Sequence, residues 1–119
     1  MTEIQNPKQY DLEDRTFNFA KRARVFINKL PKTIGNIEDG KQLTRSSGSV
    51  GANYIEANES LGKKDFKLRA KTSKKEAKES KYWLRLAEPL KEQIQEQENL
   101  IQEVTELMKI FGSILEKSK

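Results

Sequence analysis

The sequence predicts an all-α protein, an antiparallel up-down-up-down four-helix bundle. Apolar residues recur at spacings of three and four through four separate segments, and no strand-length run alternates. Pro31, Gly62 and Pro89 interrupt the pattern between those segments. The connections left over are short, which favours antiparallel neighbours. At 119 residues the chain is expected to form a single domain, 1–119, with one core and no need of staples.

The first helix is expected over about 11–30, with Asp11 as its N-cap. Leu12, Thr16, Phe19, Ala23, Phe26 and Leu30 share one seam, and Pro31 ends it. The second is expected over 37–60. It opens weakly through Gly35, Asn36 and Gly40, then runs firmly from Lys41 with Leu43, Ser47, Val50, Tyr54, Ala57 and Leu61 on its seam. Gly48 and Gly51 cost roughly 1 kcal/mol each against alanine in a helix interior. Something must offset that cost: close packing on a neighbouring helix, or a glycine–serine nest for an anion.

The third helix is expected over 63–87, stopping ahead of Pro89 because the residue before a proline resists the αR conformation. Its seam is mostly small: Phe66, Ala70, Ser73, Ala77, Ser80, Leu84 and Ala87. The fourth is expected over 95–117, with Ile101, Val104, Met108, Phe111 and Leu115 on one seam. Leu100, Leu107 and Ile114 widen its apolar face.

Composition excludes several function classes. The chain has no cysteine, hence no disulfide framework, thiolate nucleophile or thiolate metal site. It has no histidine, the commonest general base and transition-metal ligand. Met1 to Tyr10 is polar with no leader-like apolar core, and no run approaches the ~20 apolar residues of a membrane span. A cytoplasmic protein without a membrane partner is the expectation. No catalytic constellation, metal site or cofactor motif stands out, so the chain does not read as an enzyme. The paired carboxylates Glu76 and Glu79, and Asn53 with Glu56, suggest structural bonds to Arg45, Asn53, Tyr54 or Trp83 rather than a di-metal centre, which would need histidines. Tyr82 and Trp83 read as interface or core residues, with base stacking the minor alternative.

Charge supplies the one functional signal. Lys64, Lys67, Lys71, Lys74, Lys78, Lys81 and Arg85 repeat at alternating spacings of three and four. On a helix this makes one cationic stripe, about 30 Å long at about 1.5 Å rise per residue. Residues 62–81 hold nine basic and three acidic side chains, whereas residues 92–106 hold five glutamates and no basic residue. A net charge of +5 therefore conceals one cationic and one anionic helix. The cationic row suits a phosphate backbone. Alternatively, Glu92, Glu96, Glu103 and Glu106 of one subunit meet the basic helix of the next, as flanking charges do in coiled coils.

Two stretches carry a family likeness. Gln42-Leu43-x-Arg45-Ser46-x-x-Ser49-Val50-Gly51-Ala52-Asn53-Tyr54-Ile55-Glu56-Ala57 resembles the 23S rRNA intervening-sequence protein family, and so does Lys75-Glu76-Ala77-x-Glu79-Ser80-x-Tyr82-Trp83-Leu84. The break at Pro31-Lys32 fits as well, and the likeness runs from about Phe17 to the end. Thr33 to Gly40 departs from the usual pattern. The resemblance implies an antiparallel four-helix bundle assembled as a ring-shaped homopentamer. A related branch is the accessory variability determinant of diversity-generating retroelements, a basic partner of a reverse transcriptase and its RNA. The resulting expectation is a non-enzymatic, ring-forming bundle whose stripe binds structured RNA or DNA. The alternative is an interaction scaffold or accessory subunit of a nucleic-acid enzyme, with a protein partner and little affinity for nucleic acid itself.

Overall fold

The computed structural model describes residues 7–119, with side chains from Leu12 onward. Residues 1–6, part of the polar N-terminal stretch, lie outside the described residues. Four long helices follow one another: α1 (Pro7–Asn28), α2 (Ile34–Asn58), α3 (Lys63–Leu86) and α4 (Ile94–Lys117), with a 3-10 turn at Lys91–Gln93 leading into the last. α1 packs on α2, α2 on α3, α3 on α4, and α4 closes back on α1. Cross-helix contacts run in opposite senses along each pair. Val50 meets Ser73 where Ser46 meets Ser80, and Arg15 meets Glu103 where Arg22 meets Glu96. That register fits an antiparallel arrangement.

The expected boundaries shift at several ends. α1 starts at Pro7, so Asp11 lies inside the helix rather than at its cap. A proline suits a first turn, where its missing N–H had no intrahelical partner. The helix ends two residues before 30, yet Leu30 stays buried because Lys29 and Leu30 close a tighter last turn onto the carbonyls of Phe26 and Ile27. α2 begins at Ile34, three residues early, and Thr33 caps it by accepting a hydrogen bond from the Asn36 backbone N–H at 3.1 Å.

Tertiary bonds explain why this weak stretch is helical. Buried Asn36 donates from Nδ2 to the carbonyls of Pro31 at 3.0 Å and Glu88 at 2.9 Å, and its Oδ1 accepts from Glu88 N–H at 2.9 Å. One amide thus ties the α1–α2 connection to the α3–α4 connection. Gln97 completes this end by donating to the carbonyls of Leu84 and Ala87, the orphan acceptors at the end of α3.

The core lies where the four seams converge. All six seam residues of α1 are buried, as are Ala70, Ser73, Ala77, Ser80, Leu84 and Ala87 on the α3 side; Phe66 is half-buried. On α4 the deepest row is Leu100, Val104, Leu107 and Phe111, two residues of the expected seam and two of its widened face, with Ile101, Met108, Ile114 and Leu115 flanking it. Leu61 is corrected outright: it is fully exposed. α2 stops at Asn58, where Glu59 N–H bonds the carbonyls of Ile55 and Glu56, and the chain leaves the helical path before the next seam position.

α2 uses its small residues on two sides. Toward α3, Ser46 and Ser80 hydroxyls meet at 2.8 Å and Ser73 donates to the Val50 carbonyl at 2.9 Å. Toward α1, a Cβ on Gly51 would sit 2.9 Å from Thr16 Oγ1, and one on Gly40 would sit 3.0 Å from Ile27 Cγ2. The glycines thus make room for a neighbouring helix, the packing explanation of their cost.

Gly51→Ala is therefore expected to destabilise the fold. Overpacking against a β-branched side chain costs about 1–3 kcal/mol, which outweighs a propensity gain of about 1 kcal/mol. Gly35→Ala, with nothing within 4 Å of the added methyl, should stabilise it by up to about 1 kcal/mol. Urea unfolding of the two variants checks the opposite signs. Asn36→Ala, which removes three bonds from a buried amide to part-buried backbone groups at both connections, should cost about 1–3 kcal/mol in the same assay.

Candidate nucleic-acid interface

Each basic residue from Lys67 to Arg85 in the predicted stripe follows a seam position by one residue: Lys67 after Phe66, Lys71 after Ala70, Lys74 after Ser73, Lys78 after Ala77, Lys81 after Ser80 and Arg85 after Leu84. One residue is about 100° of helical turn. The row, opened by Lys64, therefore stands on the flank of α3 that borders α4, with Lys74 Nζ 3.5 Å from where a Cβ on Gly112 would lie. Lys64, Lys71, Lys74, Lys78 and Arg85 are exposed, and Lys67 and Lys81 are half-buried along their stems. At the N-terminal end, Lys64, Lys67, Lys71 and Lys119 rim an open depression of about 850 Å3 whose apolar contacts include Leu68 and Leu115.

The other flank of α3 has opposite character. Arg45 on α2 bonds Glu79 at 2.6 Å and Glu76 at 3.2 Å, and Arg69 donates to Asn53 Oδ1 at 3.1 Å. Trp83, half-buried against the core, donates its indole N–H to Glu79 at 3.0 Å. That bond, reinforced by Arg45, holds the Glu79 carboxyl below the usual carboxylate range. The expected structural role for Glu76 and Glu79 is thus met in the fold. Glu56 is exposed and takes no part.

The anionic face of α4 is occupied within the chain. Arg15 on α1 grips Glu103 through two bonds, at 2.7 and 3.1 Å, and reaches Glu106 at 3.1 Å. Arg22 pairs with Glu96 at 3.3 Å. Three of the four glutamates expected to meet a neighbouring subunit's basic helix are thus engaged by α1; Glu92 is exposed. The only mark that Arg15 and Arg22 leave in the sequence is a spacing of seven, which matches that of Glu96 and Glu103.

Arginine and lysine have divided the work. Arg15, Arg22 and Arg45 saturate carboxylates between helices, suiting their forked donors. Among the described residues, none of the seven stripe residues is in an ion pair. No group of three or more acidic side chains is arranged to hold a metal ion, and no helix is long and apolar enough to cross a membrane, again among the described residues.

The family model of the 23S rRNA-intervening sequence proteins matches residues 8–113, nearly the whole bundle. The chain belongs to that family. Its fold is similar to the crystal structure of a protein of unknown function from the S23 ribosomal protein family of Bacteroides thetaiotaomicron. The two share 28% sequence identity at a TM-score of 0.76, over 92% of this chain and 98% of that one. No curated protein matches the chain.

The Glu79–Trp83 bond gives a pH prediction. Because folding lowers the Glu79 value, its stabilisation is complete above the ordinary carboxylate value of about 4.3 and is lost as pH falls through the depressed folded value. Trp83 is the only tryptophan, so its fluorescence should change in that acidic window, and Glu79→Gln should remove the transition. An unchanged titration in the variant would contradict it.

Proposed function

We propose that this protein is a non-enzymatic, ring-forming helical bundle whose α3 stripe binds structured RNA or DNA. The observation that carries the reading is the unneutralised row itself. The interhelical ion pairs are all made by arginines, while seven cationic side chains stand along about 30 Å of one helix with no ion-pair partner among the described residues. Like charges so aligned repel one another, and a polyanion that displaces their counter-ions relieves that repulsion. Binding of this kind is independent of sequence and falls steeply with salt.

Assembly draws on a different face. Exposed Phe17 and Ile55 border a groove of about 330 Å3 between α1 and α2, lined also by small residues such as Ala20, Gly48 and Gly51 and by the charged Glu13, Lys21 and Arg24. With the helices in cyclic order, that face lies opposite the α3–α4 flank. A ring using it leaves the stripe open. The homopentamer number comes from the family resemblance. The engagement of α4 glutamates by α1 supports phosphate over a neighbouring acidic helix as the stripe's partner.

Anisotropy of a labelled structured RNA over a salt series, with mass followed by light scattering, tests this reading. Log affinity should fall steeply with log salt at constant mass. Combined Lys67→Glu, Lys71→Glu, Lys74→Glu and Lys78→Glu should abolish binding and leave the mass unchanged. Dissociation of the oligomer by these reversals would make the stripe an assembly surface. Absence of binding by the native protein at low salt would leave a scaffold for a protein partner.

A further inference from the structure

The outermost row of α3 shares Lys71 and Lys78 with the cationic stripe and is mixed in character: Leu68, Lys71, Lys75, Lys78, Tyr82 and Leu86. Its three apolar members are 62%, 55% and 44% exposed for Leu68, Tyr82 and Leu86, so the bundle does not use them for its own core. Tyr82 stands one helical turn from both Lys78 and Arg85, close enough for one ligand to touch all three. Its ring is also braced. It meets Trp83 edge to face, with centroids 5.0 Å apart, and Trp83 is fixed in turn by its bond to Glu79. An aromatic ring that is open to solvent, held from one side and flanked by cations has the parts of a base-stacking platform.

We infer that Tyr82 stacks on an unpaired base, so that the stripe's preferred ligand is a single strand or loop rather than a continuous duplex. This rests on the phosphate-binding reading above. Lysines along the row follow the backbone, which carries one charge per phosphate in either form and so offers no base-specific contact. Only an unstacked base offers a free π face to Tyr82, whereas a duplex keeps its base faces covered. The Glu79–Trp83 pair acts as a positioning element: it holds the ring and touches no ligand.

The test compares an unstructured single-stranded oligonucleotide carrying one 2-aminopurine with a duplex of the same length, bound to the native protein, Tyr82→Ala and Tyr82→Phe. Native protein should prefer the single strand and quench the 2-aminopurine. Tyr82→Ala should lose about tenfold in affinity for the single strand, the scale of one base–aromatic stack, along with the quench. Its affinity for duplex and its salt slope should be unchanged, and Tyr82→Phe should behave as native. Equal affinity of native protein and Tyr82→Ala for the single strand, with binding otherwise intact, overturns the stacking inference and leaves the phosphate reading standing. A changed oligomer mass in Tyr82→Ala overturns it in favour of an assembly role. No binding of either probe by native protein at low salt overturns both readings.

Discussion

Helix α2 has to lie close to two neighbours at once, and most of the architecture follows from how it does so. Gly51 leaves no room for a methyl against Thr16 of α1, while the Ser46–Ser80 and Ser73–Val50 bonds draw α3 against the other side. Glycine gives up side-chain packing and helix propensity to allow that approach. The buried serines are tolerable because each hydroxyl has a partner, so none carries an unpaired polar group into the core. With α2 held this way, the large residues of α1 and α4, such as Phe19, Phe26, Leu100 and Phe111, fill the space on the far side.

Close packing of α2 on α3 also fixes where the charges go. The flank of α3 facing α2 carries Glu76, Glu79 and Trp83, which Arg45 and the indole N–H satisfy. The flank toward α4 is left to lysines, whose neighbours there include the small Gly112 and the aliphatic Leu115; Asp65 lines the depression at its N-terminal end without pairing with any of them. α4 presents its glutamates to α1 instead. A strongly polar pair of helices is therefore neutralised on one side only. Partly exposed pairs such as Arg22–Glu96 contribute little stability each, about 0–1 kcal/mol, so their larger effect is on orientation and on which surface stays cationic.

Much of this was legible in the residues. The α1 seam from Leu12 to Leu30 and the α3 seam from Ala70 to Ala87 are the buried faces that their spacing implies, because a helix places residues by a local rule. The same rule puts the seven cations in a row without reference to any other helix. It fails where a helix ends: Leu61 continues the arithmetic of α2 but not its backbone. It also fails in the weak opening of α2, where Asn36 gains helix-supporting bonds from a connection fifty-two residues away.

By itself, then, the sequence determined the helices, their buried faces, the cationic row and the family. Each of these is encoded by period and residue type over a few turns. Only the tertiary structure decided which partner each charged face meets. Glu96, Glu103 and Glu106 of α4 go to Arg15 and Arg22, the α3 glutamates go to Arg45, and the stripe lysines of α3 form no ion pair among the described residues. Partner choice depends on the order and spacing of whole helices in the bundle, and no periodicity along one helix contains that information.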